Sequence, residues 1–123
     1  MLDHLGLDVT DFERSKAYYE QALAPLGITL MMQPAPEVAG FGEGRIPYFW
    51  IARRDRGPQT GVHVAFSAPS REVVDAFHAA ALEAGASDNG GPGVREIYHP
   101  SYYGAFVLDP DGNNVEAVCH QPA

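Results

Sequence analysis

LDHLGLDV, at residues 2–9, and GVHVAFS, at residues 61–67, are two strand-like stretches that each contain one histidine. Because side chains along a strand alternate between its two faces, His4 and His63 lie on the face opposite the apolar row of their strand. The two histidines are 59 residues apart in a chain of 123. This spacing of about half the chain indicates an internal duplication.

The segments after these two stretches also match. Thr10-Asp11-Phe12-Glu13 has the pattern of a capping box, which predicts the start of a helix. Apolar residues follow at helical spacing, and Gly27 can end this helix. A second helical pattern starts after Pro69-Ser70 and ends at Gly85. Further strands are predicted over residues 28–33, 38–41, 46–52, 94–98, 103–108 and 114–119.

The predicted fold is α+β, with two βαβββ modules over about residues 1–58 and 59–123. One helix covers one face of its sheet, so we expect the other face of each curved sheet to form part of a cup. His4, His63 and Glu116 point into this cup. A single strand histidine is usually structural, but two at equivalent places together with a carboxylate favour a divalent metal ion with open coordination positions. Iron, manganese, nickel and zinc are all candidates.

Composition and charge limit the classes of function. The chain has one cysteine, Cys119, so it forms no internal disulfide and fits a reducing cytoplasm. We expect a single domain with no membrane span, because the sequence has no long apolar run. The net charge is −8, and residues 61–123 contain only Arg71 and Arg95 as basic residues, so nucleic acid is not an expected partner. We interpret the one basic cluster, Arg53-Arg54-Asp55-Arg56, as a solvated turn rather than an anion site.

On these residues the chain resembles the vicinal oxygen chelate superfamily, which includes glyoxalase I, extradiol dioxygenases, fosfomycin resistance proteins and bleomycin-binding proteins. The resemblance covers essentially the whole chain and rests on the duplicated unit, the two strand histidines and the ending DPDGNNVE at residues 109–116. Family metal ligands come from the first and last strand of each module, and His4, His63 and Glu116 match three of those four positions. The fourth would lie in Ile46–Ala52, a segment without histidine, cysteine or carboxylate.

The missing fourth ligand separates members of this family. Glyoxalase I typically has four protein ligands, whereas extradiol dioxygenases use two histidines and one glutamate, as here. His99 also matches an extradiol histidine by its spacing to the Asp109-Pro110 turn, but Ala105-Phe106 replaces the aliphatic–tyrosine pair of those enzymes. The resemblance therefore implies His99 as a proton-transfer group, with Tyr102 and Tyr103 as candidates for the missing hydroxyl.

Three aromatic residues, Phe41, Tyr48 and Trp50, are candidates for the pocket wall. The resemblance implies a metal-dependent enzyme, a lyase or an extradiol-type dioxygenase, that acts on a small molecule chelating the metal through vicinal oxygens. One alternative is a non-catalytic drug-binding protein of the bleomycin-resistance type, and another is a degenerate member of the family with an empty or adventitious metal site. Family members often dimerise, and the cup can form within one chain or across two, so we expect a homodimer.

Overall fold

The computed structural model describes residues 2–123. Its elements, in chain order, are β1 (Leu5–Asp8), α1 (Phe12–Ala22), a 3-10 helix (Ala24–Leu26), β2 (Thr29–Ala35), β3 (Val38–Glu43), β4 (Ile46–Ala52), β5 (His63–Ser67), α2 (Arg71–Glu83), β6 (Ser87–Asp88), β7 (Gly93–Val94), β8 (Tyr103–Leu108) and β9 (Asn114–Cys119). No helix in this part of the chain is both long and apolar enough to cross a membrane.

The strands form two mixed sheets with related topologies. The first sheet has the order β1-β4-β3-β2, and the second sheet has the order β5-β9-β8-β6, with β7 also paired to β8. In each sheet the first strand of a module runs parallel to its last strand, and the other pairings are antiparallel. The same plan therefore occurs twice, and the predicted α+β fold is confirmed.

Caps and breakers in the sequence set the ends of the helices. The Asp11 side chain accepts a hydrogen bond from the Arg14 backbone N–H (3.1 Å) at the start of α1, and Ser70 caps α2 in the same way. α1 ends at Ala22, before the predicted glycine stop, because Pro25 has no N–H with which to extend the helix. The rest of the predicted helix is the 3-10 turn.

One predicted strand, over residues 94–98, is wrong. Only Gly93–Val94 pairs with β8, and the chain then turns through residues 95–102, which we call the rim loop. The Arg95 backbone N–H donates to the Tyr102 carbonyl (2.7 Å) and closes this loop.

Both helices pack against one face of the sheets and leave the other face open. The core contains a chain of aromatic rings: the Tyr19 ring centroid lies 4.9 Å from that of Phe49, which lies 5.3 Å from that of Phe66. Phe41, which we expected in the pocket wall, belongs to this core and is fully buried. It pairs with Phe49 across β3 and β4, so both side chains lie on the helix-facing side.

The turn after β8 joins the two modules. The buried carboxylate of Asp109 accepts a hydrogen bond from the Tyr19 hydroxyl (2.5 Å) of α1. It also accepts bonds from the backbone N–H groups of Asp111 (2.9 Å) and Asn113 (2.8 Å) and from the Asn113 amide (3.2 Å). The Asn113 side-chain oxygen accepts a further bond from the Val62 N–H (3.0 Å), just before β5. The first part of DPDGNNVE is therefore a structural joint.

Candidate metal centre and substrate pocket

His63 and Glu116 meet on the open face of the second sheet. β5 and β9 are neighbouring strands, and their register places both side chains on the same face. The distance between His63 Nε2 and Glu116 Oε1 is 2.8 Å. The Glu116 side chain is 1% exposed, whereas the His63 side chain is 52% exposed. An imidazole nitrogen and a carboxylate oxygen thus lie side by side, with the imidazole half exposed and the carboxylate buried beneath it.

Tyr102 supports the second oxygen of this carboxylate. Its hydroxyl donates a hydrogen bond to Glu116 Oε2. Burial, and next the bond to Glu116, raise the pKa of Tyr102, so the hydroxyl keeps its proton at neutral pH. Tyr102 is therefore a hydrogen-bond donor in this arrangement rather than a base.

Gly104, two residues later and on the same face, makes room for this contact. A Cβ at this position would lie 3.1 Å from Glu116 Oε2 and 3.2 Å from the Tyr102 ring. Sequence reasoning missed Gly104, although a glycine inside a strand is a signal that another group approaches the backbone closely.

An imidazole pair lies beside Tyr102. His99, in the rim loop, stands edge-on to the Tyr102 ring, with centroids 5.6 Å apart. The Ser101 backbone N–H donates to His99 Nδ1 (3.1 Å), so the proton of the neutral His99 ring is on Nε2, which donates to His120 Nδ1 (2.8 Å). The structure thus brings His99 next to the tyrosine that contacts Glu116, and gives it His120 as its side-chain hydrogen-bond partner.

Tyr103 points to the opposite side of the sheet. Its hydroxyl donates to Asp75 Oδ1 of α2 (2.6 Å), and the Arg71 guanidinium lies 4.9 Å above its ring. Neighbouring residues of a strand point to opposite faces, so Tyr102 and Tyr103 cannot both face the open side. Of the two candidates for the missing hydroxyl, the structure brings only Tyr102 to Glu116.

Phe106, which replaces the expected tyrosine, lies on the open face. It pairs with Glu116 across β8 and β9, and its ring centroid is 6.2 Å from that of His63. The Arg95 guanidinium lies 5.3 Å above the ring. An apolar ring covered by a cation thus stands where the resemblance implies a hydroxyl.

His4 lies on the open side of the first sheet. Its Nδ1 is 2.7 Å from Oδ1 of the exposed Asp3. His4 lines two cavities, one of about 280 Å³ with Trp50 in its wall and one of about 670 Å³ with Tyr48 in its wall. The two remaining aromatic candidates for the pocket wall therefore share cavities with His4.

The three predicted metal ligands are not together in one chain. His63 and Glu116 are in contact, but His4 is on the other sheet, and residues 2–123 contain no group of three His, Cys, Asp or Glu side chains that could hold a metal ion. Imidazole and carboxylate are the right kinds of donor for a divalent transition-metal ion. Within residues 2–123, one chain thus places two such donors, His63 and Glu116, at this position.

Known families and structures are similar to almost the whole chain. The model of the Glyoxalase/Bleomycin resistance protein/Dioxygenase superfamily matches residues 1–117. A glyoxalase/bleomycin resistance protein from Albidiferax ferrireducens T118 is 30% identical, with a TM-score of 0.81 and 97% of each chain covered. No curated protein sequence matches the chain.

Two more distant structures show the same fold. A glyoxalase/bleomycin resistance protein/dioxygenase family enzyme from Burkholderia phytofirmans PsJN has 20% identity, a TM-score of 0.77 and 98% of each chain covered. Lactoylglutathione lyase from Agrobacterium tumefaciens has 16% identity and a TM-score of 0.68, with 94% of this chain and 90% of that one covered. At these identities the likeness concerns the fold alone.

Proposed function

The chain belongs to the Glyoxalase/Bleomycin resistance protein/Dioxygenase superfamily, and from this membership we propose that it is a metal-dependent enzyme acting on a small molecule with vicinal oxygens. The proposed metal site combines His63 and Glu116 of one chain with His4 of a second copy. The observation that carries the proposal is the contact between His63 and the buried carboxylate of Glu116 on an open sheet face.

The surroundings of Glu116 support a cation at this place. A buried carboxylate is destabilising unless positive charge and hydrogen bonds compensate for its lost hydration. Within residues 2–123 no lysine or arginine forms an ion pair with Glu116, whose side-chain contacts are His63 and the Tyr102 hydroxyl. A divalent ion held by Glu116 and His63 would supply the missing positive charge.

Each chain has two open sheet faces that would complete one another in a homodimer. The first sheet presents His4, and the second sheet presents His63 with Glu116. A two-fold axis that packs the first sheet of one chain against the second sheet of its partner would form two equivalent sites, each with three protein ligands. The partner subunit's His4 would then be the donor that a single chain lacks.

Exposed apolar side chains beside both faces support this pairing. Leu2 and Ile46 are exposed and line the larger cavity next to His4. The exposed Tyr98 packs against Tyr102, with ring centroids 4.7 Å apart. Contiguous exposed apolar side chains mark interaction surfaces, and these would become buried in the homodimer.

The chemistry divides between the metal and the residues around it. A bound divalent ion would supply Lewis acidity toward the two vicinal oxygens of the substrate. Tyr102 would hold Glu116 in place through its hydroxyl, which stays protonated because its pKa is raised. His99, hydrogen-bonded to His120 (2.8 Å), would move the proton as a general acid or base. A lyase and an extradiol-type dioxygenase can both use these roles.

Metal binding by protein without an affinity tag tests this proposal. Wild type loaded anaerobically with iron, manganese, nickel or zinc should retain about one ion per chain after dialysis, measured by elemental analysis. His4→Ala and His63→Ala should each lose most of the metal with unchanged circular dichroism. The control His78→Ala should keep it, because His78 bonds Asp88 (2.9 Å) instead. Wild type that retains no metal would contradict the proposal and favour either the non-catalytic drug-binding alternative or a degenerate member of the family.

Mixing the two variants tests whether the site lies between chains. Neither variant alone has an intact site, but a mixed dimer has one, with His4 from the H63A chain and His63 from the H4A chain. Random reassociation should restore about one quarter of the wild-type metal content, because about half of the dimers are mixed and each has one intact site of two. Mixed dimers that recover no metal would contradict a site shared between chains.

A further inference from the structure

Asp8 organises two arginines at the end of β1. Its side chain is 4% exposed, Arg54 Nε lies 3.2 Å from its Oδ1, and Arg56 Nε donates to its Oδ2. Two guanidinium groups and one carboxylate leave a net charge of about one positive unit at this place. Arg53 differs, because it pairs with Glu37 at 3.7 Å. The basic cluster is therefore more than the solvated turn that we expected, since two of its members are anchored to a buried carboxylate.

The anchoring leaves one edge of each guanidinium free. Arg54 and Arg56 both turn Nε toward Asp8, and within residues 2–123 their terminal Nη atoms make no hydrogen bond. The two side chains are 55% and 69% exposed and line the cavity of about 280 Å³ that His4 also lines. The two Nη atoms of an arginine form a planar fork that matches a carboxylate. This end of the cavity is thus ready to bind an anion.

An aromatic surface lies between the arginines and His4. Trp50 pairs in register with Gly6 of β1 and with Gly40 of β3. A Cβ on Gly40 would lie 2.8 Å from the Trp50 ring, so the indole lies against the glycine backbone. Gly6 is exposed and has no side chain to fill the cavity in front of the indole. The ring therefore offers an apolar face on which another planar group can stack.

The three parts of the cavity lie in order beside β1. His4 immediately precedes the strand, Trp50 lies opposite Gly6, and the two arginines bind Asp8 at its end. His4 and Asp8 are about 13 Å apart along an extended strand, and Gly6 lies midway. We infer that the substrate is an aromatic carboxylate: its ring stacks on Trp50, its carboxylate binds the two arginines, and its vicinal oxygens point toward His4. Only the direction of the oxygens rests on the proposed function; the ring and carboxylate positions rest on the cavity itself.

Binding of a matched pair of catechols to metal-free protein tests the carboxylate position. The probes are dihydrocaffeate, a catechol with a propionate side chain, and dihydrocaffeamide, its neutral amide. Trp50 is the only tryptophan of the chain, so its fluorescence reports binding in this cavity directly. The acid should bind about tenfold or more tightly than the amide, the ratio that one hydrogen bond to a charged group supports.

Variants assign the preference to the arginines. Arg54→Gln and Arg56→Gln are combined with Asp8→Asn, so that no buried carboxylate is left without its partners. This triple variant should bind acid and amide with equal affinity, whereas Arg53→Gln, an adjacent arginine paired with Glu37, should keep the wild-type ratio. Trp50→Phe, followed by calorimetry, should weaken both probes by the same factor.

The outcomes separate this inference from the proposed function. Equal binding of acid and amide by wild type, a preference that survives in the triple variant, or no binding of either probe would overturn the inference. Because the titrations contain no metal, a protein that prefers the acid but never retains a metal ion would refute the proposed metal site alone.

Discussion

Tyr19→Phe tests the joint between the two modules with the smallest change. The substitution removes one hydroxyl and leaves the ring in the core. The Asp109 carboxylate then loses the donor at 2.5 Å but keeps its bonds from Asp111 and from Asn113. The variant should therefore fold, with one buried acceptor less well satisfied.

The size of the effect follows from burial and charge. Hydrogen bonds to charged groups contribute about 1.5–3 kcal/mol, and water cannot replace the lost donor because Tyr19 is fully buried. We expect the free energy of unfolding to fall by about 2 kcal/mol. Tyr103→Phe is the matched control: its hydroxyl bond to Asp75 has a similar length (2.6 Å) but is exposed, so the loss should be about 0.5 kcal/mol or less.

Urea unfolding at one fixed protein concentration, followed by Trp50 fluorescence, measures both variants. The midpoint of Tyr19→Phe should decrease while the slope with denaturant stays that of wild type, because the surface exposed on unfolding is unchanged. If Tyr19→Phe and Tyr103→Phe lower the free energy of unfolding by the same amount, burial does not strengthen the Tyr19–Asp109 hydrogen bond, and the reasoning is refuted.

Two further substitutions test the charged end of the pocket and the proton-transfer group. The hydrogen bond with Arg56 chiefly lowers the pKa of Asp8, so Asp8 adds stability above the ordinary carboxyl range and loses it as pH falls through its folded-state pKa. Wild type should therefore exceed Asp8→Asn in free energy of unfolding by more at about pH 7 than at about pH 3, and an equal difference would contradict the ion pairing. His99→Gln should keep metal and fold but reduce turnover by about a hundredfold, on a substrate found by screening catechols, α-ketoaldehyde–thiol adducts and α-keto acids. Full turnover in that variant would rule out proton transfer by His99.

Local periodicity made the duplicated fold and half of the site predictable. The alternation that buries Leu7 and Val9 also leaves His4 exposed, and it places His63 and Glu116 on one face of the second sheet. The same rule distinguishes Tyr103 from Tyr102 once the open face of β8 is known. It does not assign Phe41, because four consecutive residues of β3, from Ala39 to Gly42, are buried and the strand shows no alternation.

Other features could not be predicted from periodicity, because they depend on contacts between residues that are distant in the sequence. The separation of His4 from His63 follows from how the modules pack, through pairs such as Phe49 with Phe66. The strand predicted over residues 94–98 failed because Ile97 is an apolar residue that the structure leaves almost fully exposed in the rim loop. The four consecutive charged residues at 53–56 predict a solvated turn. Their second role depends on Asp8, which is distant in sequence and binds two of the arginines.

During synthesis on the ribosome, Tyr19 is made long before the residue that accepts its hydrogen bond. Asp109 is 90 positions later, and Thr10 and Asp111, which also form a bond, are 101 positions apart. At common elongation rates this interval lasts roughly 5 to 20 seconds. For that time the nascent first module has an unpaired tyrosine and an uncovered aromatic face, which chaperones and proteases recognise. Translation that stops before Asp109 makes this exposed state permanent, so truncated chains should be degraded rather than accumulate as folded halves.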